Sequence, residues 1–243
     1  MLKKIINLLP NKLLYLLAIR PINIWKEIMN NDVSLSYSQQ SEDIVLLKFF
    51  NKKWGGCFVD IGAFHPKKYS NTHLLTKLGW TGINIEPNPD QFIYFEKKRR
   101  KDINLNIGIS LNEDELNYYA FNNPAVNTFD KLHAEKWSKV DGFEIIKESK
   151  IKVQPLSSVL SKYLTTGRQI DLMTIDVEGL DIDVLKSNDW EKYRPIMILI
   201  ESDIYENLNI LENPIFCFLN NQNYSLYWIS GVSLFFKDNL CKY

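Results

Sequence analysis

Apolar residues along this chain fall into short runs separated by amphipathic stretches, and the alternation repeats through most of its length. Cys57 to Ile61, Gly82 to Glu86, Ile103 to Ile107, Ile170 to Asp176 and Ile196 to Glu201 are apolar runs of strand length, three of them ending in an acid. A strand covered on both faces reads this way, whereas a half-solvated strand alternates. Helical spacing fills the gaps. Ile44, Leu47 and Phe50 follow Ser38 and Ser41, either of which suits a cap; Leu74, Leu75 and Leu78 follow Ser70-Asn71-Thr72 and end near Gly79. Phe92 and Phe95 follow Pro87-Asn88-Pro89, a helix runs from Pro155 through Leu164, and Ile182, Val184 and Leu185 follow the turn Val177 to Asp181. A helix around Ile215 to Leu219 precedes two alternating segments, Tyr224 to Ile229 and Val232 to Lys237, joined at Ser230-Gly231 as a tight hairpin. Five strands separated by helices and closed by a hairpin predict an α/β fold with a mostly parallel sheet and an antiparallel edge.

Two stretches depart from this rhythm. Within 112–154, Glu115 to Phe121 and Phe143 to Val153 alternate around a polar segment holding Asn127, Thr128, His133 and Trp137. That predicts an inserted β-hairpin with a short helix inside one domain spanning 37–243, an excursion of the kind that builds a substrate wall. In residues 1–36, Ile5, Ile6, Leu9, Leu13, Leu16 and Leu17 recur at helical spacing while Lys3, Lys4, Lys12 and Arg20 interrupt them. No uninterrupted apolar span results, and Pro10 and Lys12 break what a signal peptide needs as its core. The segment is expected to be an amphipathic helical arm on the body, on another subunit or on a membrane surface, and the protein to be cytoplasmic.

Length and composition narrow the partners. The 243 residues carry 29 basic and 29 acidic side chains, so the basic footprint of extended nucleic-acid binding is missing and a small substrate fits better. Cys57, Cys217 and Cys241 are odd in number and lack metal-site spacing, which suits reduced thiols. The basic run Lys97 to Lys101 reads as a solvated helix end favoured by the macrodipole.

Candidate chemistry gathers at the strand ends. Asp60 with Gly62 closes the first strand and Glu86 the second, the places where a nucleotide fold turns under its ligand and binds ribose hydroxyls. A dinucleotide site also needs two further glycines near the pyrophosphate, and Phe64 and Lys67 stand there instead. A ribose ligand without phosphate, such as S-adenosylmethionine, fits better.

Together, Tyr37-Ser38-Gln39 with Glu42-Asp43, Val59-Asp60-Ile61-Gly62-Ala63 with His65-Pro66, Ser70-Asn71-Thr72, Gly79-Trp80, Ile83-Asn84-Ile85-Glu86-Pro87 and Ile175-Asp176-Val177-Glu178-Gly179 resemble the FkbM family of S-adenosylmethionine-dependent methyltransferases. The resemblance implies a class I methyltransferase, Rossmann-like sheet of seven strands, with the terminal hairpin as its antiparallel part. It implies that Asp60, Gly62 and Glu86 bind the cofactor and that Asp176 and Glu178 lie beside the methyl group. Gln39, Asp43, Asn71 and Asn106 complete the expected cofactor set. Family members usually carry a small residue and a glycine after the Gly-Ala pair, where this chain has Phe64 and His65-Pro66. O-methylation of a saccharide or another small molecule is the implied activity, and Tyr119, Asn127 and Trp137 suit stacking on and hydrogen bonding to a sugar. Removing the acceptor's proton calls for a base, for which His65, Asp176 and Glu178 all qualify. Asp176, Glu178, Glu201 and His65 lack the tight spacing of a metal motif, so no metal is expected. A nicotinamide oxidoreductase and a non-catalytic cofactor-binding subunit remain the readings from other classes.

Overall fold

The inner strands of the central sheet put successive side chains into opposite cores, which is why their sequences read as apolar runs. In β1 (Cys57–Ile61), Phe58 packs in one core while Val59 and Ile61 pack in the other. The same alternation runs through β8 (Met197–Glu201), where Met197 and Leu199 share the core of Phe58, and Ile198 and Ile200 that of Val59. The computed structural model describes residues 34–202 and 210–241. The amphipathic arm expected over 1–36 lies, but for its last three residues, outside them.

The remaining strands of this sheet are β2 (Thr81–Ile85), β3 (Ile103–Leu105), β7 (Leu172–Ile175), β9 (Tyr224–Ser230) and β10 (Ser233–Asp238). Their order is β3-β2-β1-β7-β8-β10-β9. Neighbours are parallel from β3 to β8, and β10 runs antiparallel to both β8 and β9, as the terminal hairpin predicted. The order reverses at β1, which places the carboxyl ends of β1 and β7 side by side at the switch point where such sheets bind ligands.

Helices α1 (Glu42–Phe49) and α2 (His73–Thr76) contribute Leu46 and Leu75 to the core containing Phe58. On the other face α5 (Leu156–Tyr163), α6 (Asp181–Lys186) and α7 (Pro214–Asn221) contribute Leu156, Val159 and Leu160, then Val184 and Leu185, then Ile215 and Leu219. The helix α3 (Pro89–Lys98) starts as expected, with the Asn88 side chain accepting from the Asp90 amide. At α1 and α2 one residue of each expected set makes the cap bond. Ser41 makes no side-chain cap bond, and the Ser38 hydroxyl accepts from the Asp43 amide instead. At α2 the Ser70 hydroxyl accepts from the His73 amide, because the Thr72 hydroxyl is committed to Asp60.

The insertion is larger than a hairpin. β5 (Asp114–Phe121) and β6 (Ile145–Gln154) pair antiparallel as expected, and β4 (Gly108–Ile109) joins β6 in parallel to make a separate three-stranded sheet. A short helix α4 (Lys131–Trp137) lies in the connection, capped by Asp130, whose carboxylate accepts from the Leu132 and His133 amides. Tyr119, Phe121, Val126 and Ala134 form a small core of their own, with Trp137, Phe143 and Ile145 packed on it.

Gly62 is where backbone freedom decides the fold's active edge. Its φ is +75°, and a Cβ there would overlap the carbonyl oxygen of Asp176, so only glycine lets the turns after β1 and β7 approach. We expect Gly62→Ala to lower the stability measured by urea denaturation by about 1–3 kcal/mol. Gly55→Ala, at φ +71° but with open space around its Cβ, serves as the comparison and should cost less.

Candidate active site

Three loops meet over the carboxyl ends of β1, β2 and β7, and the cleft between them encloses about 900 Å³ including its open mouth. Asp60, Gly62, Asn71, Glu86, Asp176 and Glu178 all line it, as does Gln39.

Glu86 ties two of these loops together. One carboxylate oxygen accepts the Phe64 amide and the other the Asn88 amide, each at 2.7 Å, so the turns after β1 and β2 are fixed to one side chain. Burial pushes its carboxyl up to about 8, and the two amide donors oppose that shift. Phe64 has φ +53°, a left-handed conformation uncommon for a residue with a side chain, and its amide donates to Glu86. Nothing in the structure explains why a phenylalanine stands there. Tyr69, also left-handed at φ +56°, stacks on the Phe64 ring with centroids 6.1 Å apart.

Asp60 is positioned from behind. The Thr72 hydroxyl donates to it at 2.8 Å, and Arg99 donates in turn to the Thr72 and Ser70 hydroxyls at 3.2 Å and to the Pro66 carbonyl at 3.0 Å. Burial raises the Asp60 carboxyl to about 6, while Thr72 and the Arg99 charge pull it down. Arg99 corrects the reading of the basic run as wholly solvated: it is 5% exposed and paired with Asp102, whereas Lys97, Lys98, Arg100 and Lys101 are exposed. Nothing in five consecutive basic residues singles it out. Only the place where helix α3 ends beside the β1 loop does so.

The loop after β7 brings Asp176 and Glu178 into the cleft. The Asp181 carboxylate accepts the Val177 and Gly179 amides at 3.3 and 3.2 Å and so shapes this turn; burial raises its own carboxyl to about 7. Burial, then the charges of Glu201 and Glu178, hold the Asp176 carboxyl well above the usual carboxylate range. Asp176, Glu178 and Glu201 each offer a carboxylate oxygen within 4.8 Å of the others. The sequence named these three with His65; the carboxylates come together and His65 is not among them. Such clusters are common without a cation, so the cluster by itself assigns no metal.

Three expected site residues lie elsewhere. The Asp43 carboxylate is fully buried beneath α1, accepting the Tyr37 amide at 2.7 Å and the Ser38 hydroxyl at 3.0 Å. The Asn106 side chain donates to the Glu86 and Pro87 carbonyls and lines a neighbouring groove instead of the cleft. The Nδ1 of His65 accepts the Lys67 and Lys68 amides at 3.1 and 2.9 Å, a turn-holding role, and its imidazole is lowered by burial and by Lys98 and Lys68. Of the sugar-facing candidates only Asn127 lines the cleft. Tyr119 sits in the insertion's core and Trp137 packs against Phe143, while the unremarked Tyr118 takes the cleft-facing place.

A mostly parallel sheet with a ligand cleft at its switch point defines the Rossmann-like, class I methyltransferase fold. Residues 60–226 match the Methyltransferase FkbM domain, and the chain belongs to that family of S-adenosylmethionine-dependent methyltransferases. A crystal structure of an FkbM methyltransferase from Methylobacillus flagellatus KT is similar with a TM-score of 0.47 at 14% identity, over 76% of this chain and 44% of that one. The chain thus spans less than half the length of that protein. A TehB-like SAM-dependent methyltransferase from Corynebacterium glutamicum ATCC 13032 is similar with a TM-score of 0.42 at 9% identity, over 90% of this chain and 97% of that one. No curated protein matches the chain.

The raised carboxyls fix the sign of the pH dependence. Asp60, Asp181 and Glu86, at about 6, 7 and 8, keep protons in the folded state that unfolded carboxyls release near about pH 4. The folded chain therefore binds more protons across this window, and stability falls as pH rises through it. Urea midpoints should be lower at about pH 8.5 than at about pH 5.5, and Glu86→Gln should lessen the drop between the two.

Proposed function

We propose that the cleft binds S-adenosylmethionine and that the chain transfers its methyl group to a hydroxyl of a saccharide or a similarly polyhydroxylated small molecule. One observation carries the choice of ligand: among the described residues lining the cleft, the ionisable side chains of acidic or basic type are Asp60, Glu86, Asp176 and Glu178, with no lysine or arginine. A pyrophosphate has nothing there to neutralise it, which counts against a nicotinamide dinucleotide, while a cationic sulfonium and its ammonium group meet carboxylates. Glu86, with lone pairs left over from its two amide contacts, is the acceptor for ribose hydroxyls. Ile107, Tyr118 and Phe129 offer an apolar wall for the base.

When bound, S-adenosylmethionine supplies a methyl group activated by the adjoining sulfonium. The chain's own part is to align the acceptor oxygen, exclude water and take the proton. His65 lies outside the cleft lining and holds a turn. Glu178, in the cleft lining and in contact with the insertion through His133, is the side chain placed to receive the acceptor's proton. Beyond Asp176 a polar side pocket lined by Gln39, Gln40, Asn71, Glu201 and Ser233 opens from the cleft, and its amides and hydroxyl suit an acceptor bearing several hydroxyl groups.

Calorimetry with S-adenosylhomocysteine tests the cofactor reading. Glu86→Ala and Asp60→Ala should each weaken binding by about tenfold to hundredfold, as for lost hydrogen bonds to a charged group, whereas His65→Ala should leave it unchanged. Binding of a nicotinamide dinucleotide in place of S-adenosylhomocysteine would overturn the reading. Product mass after incubation with a panel of saccharides and non-sugar alcohols identifies the acceptor class.

A further inference from the structure

We infer that the base of this site is a pair, Glu178 with His133 of the inserted segment, in which His133 and Trp137 set how Glu178 holds a proton. The inference rests on the methyl-transfer reading above. It adds a proton-sharing partner drawn from outside the parallel sheet.

Glu178 is held by the insertion at several points. Its φ is +54°, an uncommon conformation for a side-chain-bearing residue and one that persists where the surroundings impose it. The Thr128 hydroxyl donates to its carbonyl at 2.6 Å. A Cβ on Gly179 would stand 3.2 Å from Asp130 Oδ2 and 3.4 Å from His133 Cβ, so the turn and the start of α4 are in close contact. The Glu178 carboxylate meets His133 Nε2 at 3.1 Å, with both side chains partly shielded at 21% and 24% exposure.

The indole N–H of Trp137 is aimed at that same Nε2, at 2.8 Å. A ring nitrogen has either a proton or a lone pair to offer. If Nε2 carries the proton it serves Glu178 but sets N–H against the indole N–H. If the imidazole proton is on Nδ1, the single lone pair at Nε2 accepts from Trp137 while Glu178 is ionised, and becomes the acceptor for the Glu178 carboxyl once that group has taken the proton. Trp137 and a protonated Glu178 thus compete for one lone pair. The Nδ1–H tautomer therefore offers the transferred proton an acceptor at Nε2.

In the step itself the acceptor's O–H bond breaks as its oxygen bonds to the methyl carbon. The proton passes to Glu178 and is hydrogen-bonded to Nε2, and the electron pair of the broken C–S bond remains on the departing thioether sulfur. The charged groups acting on His133 among the described residues are Glu178 and Asp130, which raise its imidazole, and Lys136, which lowers it. His133 touches no reacting atom and is a positioning residue.

The chain has three histidines, so nitrogen-15 NMR of the histidine-labelled full chain resolves His133 once His65→Ala and His73→Ala spectra are compared. The neutral imidazole of His133 should carry its proton on Nδ1. Glu178→Gln should move its titration to lower pH, and Trp137→Phe should move it to higher pH by removing the donor that competes for the lone pair. An Nε2–H tautomer, or a titration unchanged in Glu178→Gln, would overturn the pair. A second arm uses the acceptor found by product mass: His133→Phe should slow single-turnover transfer about tenfold to hundredfold and shift its acidic limb to lower pH, with S-adenosylhomocysteine affinity unchanged. An unaltered rate in a variant that still binds S-adenosylhomocysteine removes His133 while leaving the methyltransferase reading intact. Failure of the wild type to bind S-adenosylhomocysteine removes that reading instead.

Discussion

Glu86 accepts two backbone amides at 2.7 Å, one from the turn after β1 and one from the turn after β2, and the geometry of the cleft depends on that double contact. A carboxylate buried at 5% exposure is costly unless its oxygens are met, and here the backbone meets both. The contact requires Phe64 to turn its amide inward at positive φ, and it leaves the carboxylate facing the space where a ribose is expected. On the other side, the close approach of Gly62 to the Asp176 carbonyl joins the β1 turn to the β7 turn. These two contacts fix three loops relative to one another before any ligand arrives.

The architecture was legible because its cause is repetitive. Strands covered on both faces produce apolar runs, and those at Phe58, Ile83, Met173 and Ile198 are all buried as that pattern requires. The strand-end residues Asp60, Gly62, Glu86, Asp176 and Glu178 were legible for a similar reason, since a parallel sheet brings its carboxyl ends to one edge. What sequence spacing left hidden depends on contacts between distant segments. Arg99 looks like its four basic neighbours until helix α3 ends against Pro66 and Ser70. Asp43, beside Gln39 in sequence, turns inward to hold Tyr37 and Ser38 while Gln39 reaches the cleft. Likewise Tyr118 and Tyr119 are adjacent on a strand and so point to opposite sides, and no feature of the pair says which side is the cleft.

The acidic character of the site has a consequence for both of its ligands. Asp60, Glu86, Asp176 and Glu178 converge without a basic residue among the described lining, an arrangement that favours the proposed cationic donor over a phosphate. On the proposed methyl transfer the base is Glu178, whose backbone and carboxylate are both held by the insertion. The three-stranded insertion is thereby more than a wall: it supplies partners to the residue that faces the acceptor.

A crystal structure of the chain grown with S-adenosylhomocysteine is the most direct measurement. The account predicts ribose hydroxyls on the Glu86 carboxylate and the thioether sulfur directed toward Asp176 and Glu178. Ligand bound instead in the neighbouring groove beside Asn106 and Lys150, or a cleft left empty at millimolar S-adenosylhomocysteine, would contradict it.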